Sequence, residues 1–113
     1  MSKNWTTAQT MCQDIGGQLW EPRNLLENQK VAEKGFEIYG TSIELYIGIN
    51  DIANEGSWIY ASDNSSLKFT SWNPGQPNGD GNCARISARD NQPGVWWDGV
   101  CSSSLKFICE FQC

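Results

Sequence analysis

In TTAQTMCQDIGG (6–17), Ala8, Met11, Cys12 and Ile15 recur at i, i+3, i+4 and i+7, the spacing of one buried stripe on a helix. Thr6 ahead of that run, with Gln9 three residues on, reads as a capping box, and Gly16 and Gly17 predict its end. NLLENQKVAEKG (24–35) predicts a second helix, with Asn24 as N-cap, Glu27 at the third helical position and Gly35 as its stop. In it Leu25, Gln29 and Ala32 alternate with charged positions. Leu19 and Trp20 between the helices suit a short strand.

After Gly40 the period changes. ELYIGIN (44–50) is apolar and β-branched, as a central strand would be. SWIYAS (57–62) reads as a strand with Trp58 and Tyr60 on one face, and CARIS (83–87), GVWWDG (94–99) and LKFICEF (105–111) supply the last strands. Between them lies a stretch at 63–82 rich in Asn, Ser, Gly, Pro and Asp. A loop this long in a compact domain is usually functional or disordered; Phe69, Trp72 and the cysteine that follows argue for order. Two helices followed by strands indicate an α+β domain, and 113 residues suit a single one over 1–113.

Composition narrows the chemistry. The chain has six Trp, five Cys, no His and a formal charge of −5. Its eight Lys and Arg are scattered, which disfavours nucleic acid and acidic membrane surfaces as partners. No apolar run approaches the ~18 residues that span a bilayer, and the opening MSKNW carries no apolar leader. Without His, a Ser–His or Cys–His nucleophile is impossible. Glycoside hydrolysis by a carboxylate pair finds no pair that the sequence places across a cleft. Five cysteines with no CxxC spacing favour disulfides over zinc and an oxidising, extracellular compartment. The sequons at Asn4 and Asn64 fit that setting.

The ordered series WTTAQTMC, GGQLWEPRN, ENQKV, YIGIND, EGSWIY, WNPGQPNGDGNC, VWWDGVC and FICEF resembles a C-type lectin-like domain of the short form, from Trp5 to about Phe111. The resemblance implies disulfides Cys12–Cys109 and Cys83–Cys101, and core positions for Trp58, Trp72 and Trp96. The strand that normally precedes Trp5 is missing or cut short. Cys113 is extra; it is either an intermolecular bridge, giving a homodimer, or a free or capped thiol at the terminus.

The resemblance also implies a site. In sugar-binding members a proline-centred triplet in the long loop gives two side-chain oxygens to Ca²⁺, a strand Asn-Asp pair gives more, and sugar hydroxyls complete the shell. Here Gln76 and Asn78 flank Pro77, and Asp98 holds the strand carboxylate position. A cis bond before Pro77 would point both flanking side chains one way. The expected metal ligands are therefore Gln76, Asn78, Asp80 and Asp98, and the expected sugar contacts Gln76, Asn78, Asp98 and Trp97. Asp51 and Glu55 match positions that hold an auxiliary calcium, able to converge with Asp80; as exposed loop carboxylates they are otherwise simply solvated. Three departures weaken the metal. Both triplet side chains are amides, the usual Asn before Asp98 is Trp97, and the usual Glu two residues before Cys83 is Gly81. Calcium wants ~6–8 hard oxygens, so a site with two carboxylates is weak. Trp97 points opposite to Trp96 and either stacks on a sugar or covers the loop.

The expected function is a secreted, calcium-dependent lectin for a hexose or N-acetylhexosamine, a binding module and not an enzyme. The competing reading is a metal-independent domain that binds a sugar or a protein.

Overall fold

The computed structural model describes residues 2–40, 43–88 and 94–111, so Cys113 lies outside the described residues. Helix α1 (Trp5–Asp14) leads to strand β1 (Gln18–Leu19) and helix α2 (Leu25–Tyr39). Strands β2 (Glu44–Asn50), β3 (Ile59–Tyr60), β4 (Cys83–Ser87), β5 (Trp96–Gly99), β6 (Lys106–Phe107) and β7 (Cys109–Glu110) follow. β2 is the hub: it pairs antiparallel with β3 and β4 and parallel with β6. β4 carries β5 on its far side, which leaves β5 at the outer margin of the sheet order β3-β2-β4-β5. β1 and β7 form a separate antiparallel pair.

Every residue of β2 after Glu44 is buried, as an internal strand covered on both faces requires. Leu45, Ile47 and Ile49 join Val31, Ala32, Tyr60, Ala84, Ile86 and Trp96 in the main core. Trp5, Ala8, Cys12, Leu19, Tyr46 and Cys83 form a second cluster under α1. The Trp5 indole N–H donates to the Ile47 carbonyl at 2.9 Å and ties that helix to the hub strand. Both implied disulfides are present, closing separations of 97 residues for Cys12–Cys109 and 18 for Cys83–Cys101. Chain-entropy arguments make them worth about 5 and about 3 kcal/mol.

Several details differ from the sequence reading. The α1 cap is Asn4, whose side-chain oxygen accepts from the Thr7 N–H at 2.8 Å; Thr6 lies inside the helix. The buried stripe is Trp5, Ala8, Gln9 and Cys12; the helix ends at Asp14, and Ile15, its C-cap, is exposed. Asn24 does cap α2, accepting from Glu27 N–H at 2.9 Å. That helix runs four residues past Gly35 and stops before Gly40, whose φ is +92°. Gly35 is a mid-helix contact: a Cβ there would run into the Leu45 side chain. The buried face of α2 is Asn28, Val31, Ala32 and Gly35, while Leu25 and Gln29 are exposed. Ahead of Trp5, Lys3 forms one antiparallel bridge with Leu105, in the place of the expected leading strand.

Candidate functional site

The long loop is ordered by Trp96. The backbone of Trp96 donates to Ser71 O and accepts from Asn73 N, both at 2.9 Å, so the loop runs beside β5. The Trp96 ring is fully buried and makes edge contacts with Phe69 and Trp72, at 5.8 and 5.4 Å between centroids, and Trp72 reaches Trp58 at 4.9 Å. Its indole N–H donates to Asn28 Oδ1 at 2.7 Å. Trp96 is core, as the resemblance implied, and Trp58 and Trp72 pack against that core half-buried.

Held there, the loop and β5 enclose a cleft of about 310 Å³ lined by Gln76, Asn78, Asp80, Trp97 and Asp98, together with Glu44, Arg85, Gly99 and Val100. The expected ligand set of the long loop is thus brought together, and the Gln76–Pro77 bond is cis. Trp97 is half-buried and lines the cleft, on the opposite side of the strand from Trp96.

The hydrogen bonds decide what these oxygens can do. Asp98 is 6% exposed, and its two carboxylate oxygens accept from Asn78 N–H at 3.1 Å and Gly79 N–H at 2.8 Å. Asn78 Oδ1 accepts from Asp80 N–H at 3.0 Å, while its amide nitrogen donates to Asp80 Oδ2 at 2.9 Å. Among the described residues, Gln76 Oε1 alone of the set is a buried acceptor with no partner. A calcium ion would have to share or displace loop N–H groups at Asp98, beside the Arg85 guanidinium that lines the same cleft. The donor set fits calcium poorly. Gly81 explains the lost Glu: a Cβ at this position would overlap the Gly99 carbonyl and Val100 nitrogen. The loop approaches β5 so closely here that no side chain fits.

The Asp51 and Glu55 pair converges on Asn82, which the sequence did not single out. With its nitrogen inward, the Asn82 amide donates to Glu55 Oε1 and Asp51 Oδ1, both at 2.9 Å. Asp51 Oδ2 accepts from Gly56 N–H at 2.8 Å. Hydrogen bonding to Asp51 and the negative charge there push the Glu55 carboxyl up, with burial and the more distant Asp98 adding to it. The opposite amide orientation would turn three oxygens on one another, an arrangement that needs a cation between them. With the nitrogen inward the cradle is satisfied by the protein alone. No three Asp, Glu, Cys or His side chains converge as a metal set among the described residues.

Sequence reasoning missed Arg85. It stands directly opposite Trp97 in the β4–β5 ladder and opposite Tyr46 in the β2–β4 ladder. Period-two alternation through CARIS puts it on the face of Cys83; its tie to Trp97 needed the register.

The amino-acid sequence matches the family model of the lectin C-type domain over residues 1–111. The chain belongs to the C-type lectin domain family. This family consists of binding modules, and the chain is not an enzyme. Among curated relatives, collectin-11 of Danio rerio is 31% identical over 112 residues, covering 96% of this chain and 39% of its own length. The chain therefore spans well under half of that relative. Among solved structures, human lithostathine superposes with a TM-score of 0.87 at 24% identity, covering 99% of this chain and 86% of that one. The carbohydrate-recognition domain of cow CD23, solved in the presence of a GlcNAc2Man3 oligosaccharide, gives 0.80 at 25% identity over 99% and 83% of the two chains. The C-type lectin fold is thus shared over nearly all of this chain. No described helix is long and apolar enough to cross a membrane.

Proposed function

We propose that this C-type lectin domain binds saccharides at the cleft between the long loop and β5, recognising a hexose or N-acetylhexosamine. The observation that carries the reading is the convergence of Gln76, Asn78, Asp80, Trp97 and Asp98 on that one cleft. An indole supplies an apolar surface for the carbon face of a pyranose, and amides and carboxylates supply donors and acceptors for its hydroxyls. The oligosaccharide present with the CD23 domain supports the ligand class. Two closed disulfides support a secreted setting. A single shallow site gains useful strength from avidity, and a homodimer through Cys113 is one route to it, read from a non-reducing gel.

Two forms of the reading differ in one group. In the calcium-dependent form, Gln76, Asn78, Asp80 and Asp98 hold Ca²⁺, which lends its open positions to sugar hydroxyls. In the metal-independent form, the protein's own donors and acceptors meet the sugar. The second form is favoured because both Asp98 oxygens already serve loop N–H groups. The test is retention on neoglycoproteins bearing galactose, mannose or N-acetylglucosamine, with calcium and again with EDTA. Retention on at least one is expected; no retention on any of them under either condition sinks the saccharide reading.

A further inference from the structure

Two residues that line the cleft each carry a buried polar atom with no partner among the described residues, and the two atoms are complementary. Gln76 Oε1 is an acceptor, and Arg85 Nε is a donor. Leaving such atoms unpaired carries the full desolvation penalty of each, so the cleft is incomplete without something that accepts from one and donates to the other. A hydroxyl does both.

The Arg85 guanidinium is also fixed. Its side chain is only 19% exposed, and Nη1 lies 3.8 Å from Glu44 Oε2. It rests on Gly99: a Cβ there would collide with Nε, Cζ and Nη2 of Arg85. Gly99 thus leaves the space that the guanidinium fills. Trp97, opposite Arg85 in the ladder, flanks it on β5. The planar N–H fork is pre-organised in a way that a flexible ammonium is not.

Resting on the saccharide reading above, we infer that Arg85 is the specificity-determining cation of this cleft, acting with Gln76 Oε1 as a metal-free clamp for hydroxyls of a neutral saccharide. One sugar hydroxyl donates to Gln76 Oε1, and the Arg85 N–H donates to a hydroxyl oxygen. Neutrality follows from the lining: among the described residues, Asp80 and Asp98 add two carboxylates beyond the Arg85–Glu44 pair. That excess repels sulfated or carboxylated sugars.

The experiment measures retention on the same neoglycoproteins in EDTA for the parent protein, Arg85→Met and Arg85→Lys, with sulfated and sialylated probes alongside. Thermal midpoints report folding. The parent protein is expected to be retained in EDTA and to prefer neutral probes. Both variants are expected to lose at least about tenfold in affinity, which is about 1.4 kcal/mol, with midpoints within a few degrees of the parent. The lysine variant keeps the charge and loses the fork, so it separates this role from general electrostatics; it also serves if the methionine variant fails to fold. Gly99→Ala should weaken retention in the same direction by displacing the guanidinium. Retention that survives in both Arg85 variants overturns the inference and leaves the saccharide reading standing, as does a parent protein that binds only with calcium. Preference for anionic probes overturns the ligand class. A parent protein that binds no probe with or without calcium removes both.

Discussion

Glu21 and Asp98 are both buried carboxylates that hold a loop by its backbone N–H groups, at opposite ends of their usefulness to a ligand. Glu21 is 1% exposed. Its oxygens accept from Ser62 N–H and Ser62 O–H at 2.7 Å each and from Arg23 at 2.8 Å. The surrounding backbone closes over it, and Gly48 lacks a side chain where Glu21 presses against β2. Asp98 collects two loop amides and still lines a cleft of about 310 Å³. One carboxylate is consumed in joining loop to scaffold. The other joins loop to scaffold and also shapes a recess in which Gln76 Oε1 and Arg85 Nε have no partner among the described residues. Burial alone therefore does not mark a functional carboxylate; orphaned neighbours do.

The largest expected effect breaks the structural partner. Glu21→Ala leaves Arg23 and two Ser62 donors without their acceptor and should cost about 3 kcal/mol in denaturant unfolding. Retention on whichever neoglycoprotein the parent binds should hold within twofold. If retention falls while stability is kept, the contrast between the two carboxylates is wrong.

Next is Gly81→Ala, which drives a methyl into the backbone at Gly99 and Val100 and should cost about 2 kcal/mol, with weakened retention as the loop lifts from β5. Gly81→Glu, which restores the family's missing carboxylate, should be at least as destabilised and gain no calcium response in thermal unfolding. A stable, calcium-responsive Gly81→Glu protein would contradict the close approach described for this loop.

Asp98→Asn keeps the shape and removes one acceptor. It should cost about 1 kcal/mol, visible as faster amide exchange at Asn78 and Gly79, and should lower retention several-fold. Unchanged exchange at both amides would show that Asp98 does not hold the loop.

The smallest effect is a pH dependence at Glu21. Burial raises its carboxyl above the ordinary 4.5, against lowering contributions from Ser62 and Arg23. A raised folded value means that the folded state binds the proton more tightly. That contribution to stability is full below about pH 4.5 and is lost as pH rises through the folded value. Denaturant unfolding of the parent protein minus that of Glu21→Gln, measured from pH 4 to 8, should show a relative decline over that window. A difference that is flat or rises with pH contradicts the sign.

Much of the scaffold was legible in the sequence, for physical reasons. ELYIGIN and CARIS came out with their observed bounds because continuous apolar, β-branched runs leave few alternatives to buried strands. Asn24 was readable as a cap because its side chain acts on a neighbour three residues away. Asn4 was missed in favour of Thr6, since adjacent polar residues compete for one cap and only packing of Trp5 fixes the start. Gly35 misled because a glycine that accommodates Leu45 looks the same in sequence as one that ends a helix. LKFICEF read as one strand, yet it divides between the hub β2 and the pair with β1. In the cleft, Gln76, Asn78, Asp80, Trp97 and Asp98 were legible from motif order. Asn82 and Arg85 were not, because their roles arise from contacts across the loop and the ladder.

Protein N–H groups stand where the family resemblance expects calcium: loop amides on Asp98 and, with its nitrogen turned inward, the Asn82 amide between Asp51 and Glu55. Thermal unfolding of the oxidised protein across a calcium titration, with magnesium and EDTA controls, tests this most directly, because an ion that binds only the folded state raises the midpoint by mass action. A flat midpoint is expected up to several millimolar calcium, a range that would fill a weak extracellular site. A calcium-specific rise would contradict it, and Asp51→Asn and Asp98→Asn would then say which of the two places holds the ion.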